Sequence, residues 1–338
     1  MLEQLRTYME KQNLDGFFVQ NHENVRYISG YTSDDAYLLI TRGRQFLITD
    51  PRYTEHAQAE CPDYTILNWR GAAPNVGEYA AQLAEQEGLK AVGFEKDLLT
   101  VKFHEALCTA PHTEWVGTEG VIEEFRSVKT PEEIEKLKVA CDIASRAFEH
   151  IIRDIRVGVT EKELASRLSH YMVMEGSDTK PYGNILISGA RTSLLHGIPS
   201  SKAVEYGDFV LMDYGCQYKG YLSDMTRTVV VGKASAKQRE VYELEQKMVA
   251  ACEDQMKAGN SGRMVYEAST AVIQDTEYFP YHYTGIGHGI GLFVHEIPFM
   301  GPKHETPFKV NQVITVEPGI YIPGWGGVRI EDQVLIQE

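Results

Sequence analysis

The sequence predicts two domains of different fold class, an α/β domain followed by an α+β domain. Short β-rich runs alternate with helical patterns over roughly the first 120 residues. The rest of the chain places amphipathic helices between segments that have the pattern of antiparallel β-hairpins. With 338 residues, of which 43% are hydrophobic, the chain is long enough to bury a substantial core and form two domains.

The first domain is predicted over residues 1–123. It has no phosphate-binding loop and no dinucleotide-binding glycine pattern, which favours a structural and oligomerisation role for this domain. The predicted helices are 2–13, 76–87 and 100–109. The predicted strands are 15–20, 36–41, 44–50, 64–69 and 90–95.

Residues 124–130 are predicted to link this domain to the second one, which is predicted over 131–338. Thr130 is a favourable N-cap, Pro131 suits the first helical position, and Glu133 can complete a capping box. Comparable N-cap signals precede most of the later helices of this domain. The predicted helices cover 131–154, start at 160, and cover 235–257 and 262–274.

Two candidate hairpins in the second domain each carry a pair of carboxylates. Asp213 and Asp224 lie at equal distances from one predicted turn, and Glu317 and Glu331 at equal distances from another. Residues equidistant from a hairpin turn lie opposite each other with side chains on one face. Like charges held that close destabilise a sheet unless a cation neutralises them, so four carboxylates predict a site for two metal ions. The predicted turns are 217–220 and 323–327.

A candidate fifth ligand, His288, lies between the two pairs in the glycine-rich segment GIGHGIG. Carboxylates combined with an imidazole favour manganese, cobalt, zinc or iron over calcium. The alternating glycines do not have dinucleotide-binding spacing. We expect them to let the backbone approach the metal site closely.

Five strings occur in order along the second domain: SGARTSLLHGIPSS, DYGCQYKGYLSDMTRT, GHGIGLFVHEIP, VEPGIY and GVRIEDQVLI. Together they resemble the pita-bread metallopeptidases, in the branch that contains Xaa-Pro aminopeptidases and Xaa-Pro dipeptidases (prolidases). The resemblance extends over nearly the whole chain. It implies a C-terminal pita-bread (creatinase/aminopeptidase-like) catalytic domain, a creatinase-type α/β domain before it, and a homodimer.

The resemblance also assigns roles to residues. It implies that Glu317 moves the proton of an attacking water, that His295 stabilises the oxyanion and that His196 contacts substrate. Arg329 precedes Glu331 by two residues, so both side chains share a strand face; it either orients a ligand carboxylate or binds a substrate carboxylate. Two divalent ions per subunit are implied, with manganese favoured. The implied ligands are Asp213, Asp224, His288, Glu317 and Glu331.

The favoured function is a dinuclear-metal Xaa-Pro aminopeptidase, which hydrolyses the bond between an N-terminal residue and a following proline. The alternative is an Xaa-Pro dipeptidase, whose site needs a cation near the prolyl carboxylate and a closed far end. A non-peptide C–N hydrolase or a non-catalytic binding protein on the same fold is less favoured. Such relatives typically lack metal ligands, whereas all five are present here.

Bulk properties argue against other classes. The formal net charge of −15 argues against a nucleic-acid-binding surface. No apolar run approaches the ~20 residues that span a membrane, and the N-terminus lacks a signal-peptide core. Five scattered cysteines are typical of reduced thiols, so a cytoplasmic location is expected.

Two features depart from the family pattern. Family members commonly have a histidine four residues before the ligand His288, where this chain has Thr284. The nearest upstream histidine is His282, and its role is left open. The chain also ends soon after Glu331, whereas relatives usually continue somewhat further.

Overall fold

The structure, a computed structural model, describes residues 1–178 and 183–338. The chain divides into two compact units, Met1–Arg126 and Ser127–Glu338. Each unit contains its own strands, helices and buried apolar cluster. Within the described residues, helices are too short or too polar to cross a membrane.

The first unit is built around one mixed sheet. Its strands are β1 (Gly16–Val19), β2 (Tyr37–Thr41), β3 (Gln45–Thr49), β4 (Thr65–Asn68), β5 (Ala91–Glu95) and β6 (Glu114–Thr118). The sheet order is β4-β3-β2-β1-β5-β6; β2 pairs antiparallel with β1 and β3, and the remaining pairs are parallel. Its helices are α1 (Leu2–Lys11), α2 (His22–Ser29), α3 (Thr54–Glu60), α4 (Val76–Gln86), α5 (Val101–Leu107) and α6 (Val121–Ser127).

Every helix and strand predicted for this unit is present, with ends that differ by at most two residues. Short continuous apolar runs explain the agreement for the strands, because β1, β2 and β3 are almost continuously buried. The structure adds β6 and the short helices α2, α3 and α6. Helices of seven or eight residues complete only about two turns, so they leave little periodicity in a sequence.

The second unit begins with two long helices and contains four in all within the described residues: α7 (Pro131–Ile151), α8 (Glu161–Met174), α9 (Ala236–Glu253) and α10 (Gly262–Ile273). The first three start at complete capping boxes, in which an N-cap hydroxyl and a side chain three residues later satisfy each other's backbone N–H groups. The predicted helix starts are therefore confirmed.

The strands of this unit form short antiparallel sheets. They are β7 (Ile185–Ser188), β8 (Phe209–Tyr214), β9 (Gln217–Tyr218), β10 (Tyr221–Leu222), β11 (Met225–Val230), β12 (Gly287–Gly289), β13 (Glu296–Met300), β14 (Val313–Val316), β15 (Gly319–Ile322), β16 (Gly326–Arg329) and β17 (Asp332–Leu335). One sheet has the order β11-β8-β7 and another β13-β12-β14-β17, while β9–β10 and β15–β16 are two-stranded ribbons. Buried side chains of α7 and α8 pack against the first of these sheets.

The first candidate hairpin has a different register from the predicted one. Asp213 on β8 lies opposite Thr226 on β11, so Asp213 and Asp224 are not direct partners. The turn lies at Lys219 and Gly220, which have φ values of 49° and 88°. A two-residue turn of this kind moves the centre of the hairpin by one residue. Because Asp224 and Thr226 are two residues apart, the carboxylates still belong to one face.

The second hairpin has the predicted register. Pairing of β15 with β16 and of β14 with β17 has a common centre at Gly324, where φ is 75°. Glu317 and Glu331 lie between these two ladders and are opposite each other in that register. The connecting residues are 323–325, slightly shorter than the predicted turn.

Candidate metal centre and active site

Three of the predicted ligands form one tight cluster. Asp224, His288 and Glu331 each place one ligand atom within 4.8 Å of the others, and all three residues are buried. Asp224 immediately precedes β11, His288 is the central residue of β12, and Glu331 lies between β16 and β17. Three separate strand segments thus bring together the oxygen and nitrogen donors of a metal centre.

The other two predicted ligands lie beside this cluster. His288 Nε2 lies 3.3 Å from Glu317 Oε1 and 3.6 Å from Asp224 Oδ2. Asp213 accepts a hydrogen bond from Nη2 of Arg329, whose Nε is 4.0 Å from Glu317 Oε2. Asp213 and Glu317 also line the same cavity as Asp224 and His288. The fold therefore gathers all five side chains around one site.

The carboxylates of this site need a compensating cation. Burial, followed by the charges of Asp224 and Glu317, raises the pKa of Glu331 well above its usual value. Burial also raises the pKa of Asp213, and the charge of Arg329 offsets this only in part. Oε1 of Glu331 is buried and accepts no hydrogen bond from a described residue. Since a buried carboxylate oxygen without a donor is costly, this donor set fits divalent metal ions.

His288 is oriented with Nε2 towards the carboxylates. Its Nδ1 lies 3.0 Å from the carbonyl oxygen of Gly289 and can donate to it, which leaves Nε2 as the ligand atom. Burial alone would lower the pKa of His288, but the hydrogen bond and charge of Glu317 and the charge of Asp224 raise it to about 9. The carboxylates around Nε2 therefore favour a positive charge at this position, which either a proton or a bound metal ion would provide.

Two glycines let the strand of His288 lie directly against its neighbours. A side chain at Gly289 would collide with the carbonyl oxygen of Ile297, and one at Gly287 with that of Thr315. Gly287 also has a φ of 154°, in the region that favours glycine. These glycines therefore allow close packing against neighbouring strands, while the predicted close approach of the backbone to the metal site stays a prediction.

Arg329 is 2% exposed and is held by three neighbours. Its Nε donates to Thr226 Oγ1 at 3.0 Å, Nη1 donates to Tyr321 Oη at 2.7 Å, and Nη2 donates to Asp213. Thr226 Oγ1 in turn donates to Glu331 Oε2 at 2.8 Å. Because these guanidinium nitrogens are directed at protein atoms, the geometry favours orientation of a ligand carboxylate over capture of a substrate carboxylate.

Sequence analysis did not single out Thr226 or Tyr321, although both lie in the strings that carry the family resemblance. Thr226 is two residues after Asp224, and alternation along a strand places both on one face. Tyr321 is two residues after Gly319, so both residues belong to one face of the second hairpin. Gly319 pairs with Arg329, which places Arg329 on that face as well. Strand alternation around each predicted ligand was therefore the signal that could have identified them.

Four of the predicted ligands (Asp213, Asp224, His288 and Glu317) line a cavity of about 530 Å³, which His196 and His295 also line. The rings of His295 and His288 are 4.5 Å apart and nearly perpendicular. Burial, followed by the charge of His288, lowers the pKa of His295. A neutral imidazole keeps one ring N–H as a donor. Tyr283 and Phe299 contribute exposed aromatic surface to the same cavity.

His282, whose role the sequence left open, lies away from this cavity. Its ring stacks on Tyr266, with centroids 5.8 Å apart and planes at 11°. Burial lowers the pKa of His282. The residue is therefore a packing residue next to the strand of Ile320, with which it forms an isolated bridge.

The loop that carries His295 (the His295 loop, residues 290–295) is held from inside. Oε1 of Glu296 accepts from the backbone N–H of Phe293 at 3.0 Å. Oε2 of Glu296 lies 3.1 Å from Nζ of Lys129, and these side chains are 5% and 1% exposed. Lys129 also donates to the carbonyl of Ser127 at 3.2 Å. A buried ion pair thus fixes the residue next to His295.

Comparison with known proteins agrees with this site. The model of metallopeptidase family M24 matches residues 135–338, and the model of the creatinase/prolidase N-terminal domain matches residues 1–128. The chain belongs to metallopeptidase family M24. Family M24 enzymes depend on a dinuclear metal centre, to which the clustered donors correspond.

Relatives that are similar over their whole length include both kinds of Xaa-Pro peptidase. The Xaa-Pro dipeptidase of Pyrococcus furiosus is 34% identical, over 100% of this chain and 95% of its own. The Xaa-Pro dipeptidase structure from Bacillus anthracis superposes with a TM-score of 0.94 at 38% identity, covering 99% of this chain and 94% of that one. The X-Pro aminopeptidase structure from Thermotoga maritima has a TM-score of 0.92 at 32% identity, covering 100% and 95%.

These findings confirm the family, the fold class and the enzyme class. The chain is an M24 metallopeptidase with a creatinase-type N-terminal domain followed by a pita-bread catalytic domain. The choice between the two Xaa-Pro activities changes, because the relatives favour the dipeptidase alternative over the aminopeptidase that the sequence analysis preferred.

Proposed function

We propose that this M24 peptidase is an Xaa-Pro dipeptidase that works with two divalent ions, manganese by preference. The observation that carries the proposal is the convergence of five donor side chains beside one cavity of about 530 Å³. Sites for small ligands typically measure about 300–1,000 Å³, so a short peptide suits this cavity. Similarity to proteins named as dipeptidases supports the dipeptide as substrate. The proposed ligands are Asp213, Asp224, His288, Glu317 and Glu331.

The proposed reaction is hydrolysis of the bond before proline. Two bound divalent ions would supply an activated water and polarise the scissile carbonyl. Glu317, whose Oε1 lies 3.3 Å from His288 Nε2, accepts the proton of that water and delivers it to the prolyl nitrogen. The leaving nitrogen needs this proton because a nitrogen anion is a poor leaving group, whereas the protonated prolyl nitrogen departs as a neutral secondary amine.

Two histidines act on the substrate side. His295 donates a ring N–H to the tetrahedral oxyanion, a contact that catalysis strengthens as charge develops there. His196 contacts the substrate across the same cavity. Arg329 does not touch substrate in this proposal; it orients Asp213 and, through Thr226, Glu331.

A dipeptidase must also recognise the prolyl carboxylate. Within the described residues, the cationic or N–H-donating side chains that line the cavity are Arg329 and four histidines, of which His288 is a proposed metal ligand. Since the guanidinium nitrogens of Arg329 donate to protein atoms, we assign binding of the prolyl carboxylate to the histidines that are not metal ligands. The histidines concerned are His196, His295 and His304.

The test is a mass-spectrometric cleavage assay with manganese, comparing Ala-Pro with Ala-Pro-Ala-Ala. Chelator-sensitive cleavage of Ala-Pro alone supports the dipeptidase. Release of alanine from the longer peptide instead identifies an aminopeptidase. Glu317→Ala provides the catalytic control, because loss of the proton carrier should abolish turnover of either peptide while leaving the fold intact.

Two further proposals concern the assembly and the location of the protein; the first rests on the family resemblance and the second on the five scattered cysteines. We propose a homodimer, which light scattering after size-exclusion chromatography would test. We also propose a cytoplasmic location for the enzyme, where its substrates are peptides with proline at the second position. Fractionation of cells that produce the protein would test the location.

A further inference from the structure

The loop that carries His196 is fastened at both ends by one carboxylate. This loop (the His196 loop, residues 189–199) runs between Ser188, at the end of β7, and Ser200. Oε1 of Glu161 accepts from the backbone N–H of Ser188 at 2.8 Å and from its hydroxyl at 3.1 Å. Oε2 of Glu161 accepts from the N–H of Ser200 at 2.9 Å and from its hydroxyl at 2.7 Å.

A guanidinium extends the fastening into the loop. Nε of Arg191 lies 3.2 and 3.1 Å from the two oxygens of Glu161. Nη2 of the same residue donates to the carbonyl of Ile198 at 2.7 Å. Arg191 therefore ties the start of the His196 loop to its end, on either side of His196.

The position of Glu161 makes this carboxylate hard to replace. It is the first residue of α8 and its side chain is 0% exposed. Its oxygens face donors only, so an amide in its place would turn an NH₂ group towards other N–H or O–H groups. A buried donor left without an acceptor costs free energy, and the loop would move to relieve it.

His196 depends on this fastening because little else holds it. The residue is exposed, and its loop contains the exposed side chains of Leu194 and Ile198. Thr192 is the exception at the start of the loop: its hydroxyl accepts from the N–H of Gly327 at 2.8 Å. Beyond Thr192, the loop has two internal turns, in which the N–H of Leu194 donates to Arg191 and that of Gly197 donates to Leu194, while Glu161 and Arg191 hold its two ends.

We propose that Glu161 is a positioning residue for the peptidase reaction, acting on substrate through the placement of His196. This inference rests on the proposed role of His196. Glu161 itself contacts neither the ligands nor the cavity in the described part of the chain. The expected consequence of disturbing it is a loss of catalytic efficiency without a loss of metal binding.

The experiment compares Glu161→Gln with Glu163→Gln. Glu163 is a matched control because it lies in the same first helical turn and undergoes the same charge change. Among the described residues its hydrogen bonds are to Thr160 in the capping box and not to the loop. Expected for Glu161→Gln is a fall in kcat/KM for Ala-Pro of about 10- to 100-fold, the range seen when groups that orient a functional residue are lost. Glu163→Gln should remain near wild type, and both variants should bind Mn²⁺ as the wild type does.

A double-mutant cycle with His196→Ala separates positioning from general damage. If Glu161 acts through His196, Glu161→Gln should cause no further loss in the His196→Ala background. Independent, multiplying losses would overturn the proposal, and so would loss of Mn²⁺ binding in step with activity. Ser200→Ala provides a milder variant if Glu161→Gln does not fold, with an intermediate loss expected and a wild-type value contradicting the proposal.

Hydrogen–deuterium exchange tests the same inference without relying on turnover. Faster exchange in residues 189–199 of Glu161→Gln, with α8 unchanged, supports the fastening even if Ala-Pro is not the substrate. Unchanged exchange in that loop, or faster exchange throughout α8, overturns it. A failure of the proposed function can therefore be distinguished from a failure of this inference.

Discussion

The two loops that face the substrate cavity are both held by buried glutamates, but in different ways. Glu161 comes from another element, α8, and accepts from backbone N–H groups at both ends of the His196 loop. Glu296 is the neighbour of His295 in sequence and accepts from one N–H inside the His295 loop. One loop is therefore clamped across its base, and the other is held from within.

The cationic side chains that neutralise the two glutamates differ in their exposure to solvent. Arg191, which faces Glu161, has a side chain that is 33% exposed. Lys129, which faces Glu296, is 1% exposed. Water can replace an exposed partner, whereas loss of a buried partner leaves an uncompensated charge. We therefore expect the two loop anchors to differ in how much a substitution of the cationic partner destabilises the protein.

The largest effect is expected at Lys129. Lys129→Met removes a buried positive charge 3.1 Å from the Glu296 carboxylate and should lower the free energy of unfolding by about 3–5 kcal/mol. Arg191→Met should lower it by about 1 kcal/mol or less, since water and the serine donors remain near Glu161. Urea denaturation followed by circular dichroism measures both.

A control for Lys129→Met is available in the same unit. Lys138 pairs with Glu135 at 2.7 Å on the surface of α7, with side chains 62% and 69% exposed. Lys138→Met should change stability by less than about 1 kcal/mol. Equal losses at Lys129 and Arg191 would contradict the contrast between the two anchors.

The next effect concerns the histidines themselves. The ring of His295 lies 4.5 Å from that of His288, a proposed metal ligand, so the proposed reaction assigns the oxyanion to His295 and substrate binding to His196. His295→Ala should reduce kcat by about 10²–10³, as for loss of one oxyanion donor. His196→Ala should raise KM more than it lowers kcat. Steady-state kinetics with Ala-Pro would reveal the opposite split if the roles are exchanged.

A smaller effect is expected on the metal side, which lies on strands instead of loops. Thr226 accepts from Arg329 and donates to Glu331, so Thr226→Val removes the support of a ligand. Mn²⁺ affinity should fall by about tenfold, and Thr226→Ser should restore it. Isothermal titration calorimetry measures this change. A weaker Mn²⁺ affinity after Glu161→Gln, but not after Thr226→Val, would contradict the assignment of Thr226 to the metal ligands and of Glu161 to the substrate-side loop.

A third buried glutamate lacks such anchoring and should respond in the opposite direction. Both carboxyl oxygens of Glu245 on α9 are buried and accept no hydrogen bond from a described residue. Burial raises the pKa of Glu245 well above its usual value, and the nearby backbone N–H of Ile330 and the charge of Arg329 offset this only in part. The folded state therefore holds a proton that the unfolded chain releases, and stability falls as pH rises from the unfolded pKa towards the folded one.

Glu245→Gln removes this dependence because the amide stays neutral. The variant should match the wild type at acidic pH and become the more stable protein as pH rises to neutrality. Unfolding midpoints in urea between pH 4.5 and 8 provide the measurement. A variant that is less stable than the wild type at pH 7 would show that the carboxylate is anchored after all.

The sequence predicted those parts of the site that depend on local rules. Capping boxes located the starts of three helices, and the centre at Gly324 predicted that Glu317 and Glu331 oppose each other. The first hairpin was misregistered because its turn needs a positive φ at Lys219, which is a non-glycine residue and gives little turn signal. The carboxylates nevertheless share a face, since the pleat has a period of two.

The anchors of the two loops were beyond this kind of prediction. Glu161 is an acidic residue in the first turn of a helix, where its usual effect is only to complement the helix dipole. Its six hydrogen-bond contacts come from residues 27 to 39 positions away. Lys129 and Glu296 are likewise distant in sequence. Such contacts have no periodic pattern and depend on the assembled fold.

The most direct test of the account is a Mn²⁺ titration of the metal-free enzyme that records binding and Ala-Pro hydrolysis together. The account predicts two ions bound per chain, hydrolysis that follows their binding, and loss of both in Glu331→Gln. Undiminished hydrolysis after complete removal of metal, or full binding and turnover in Glu331→Gln, would contradict it.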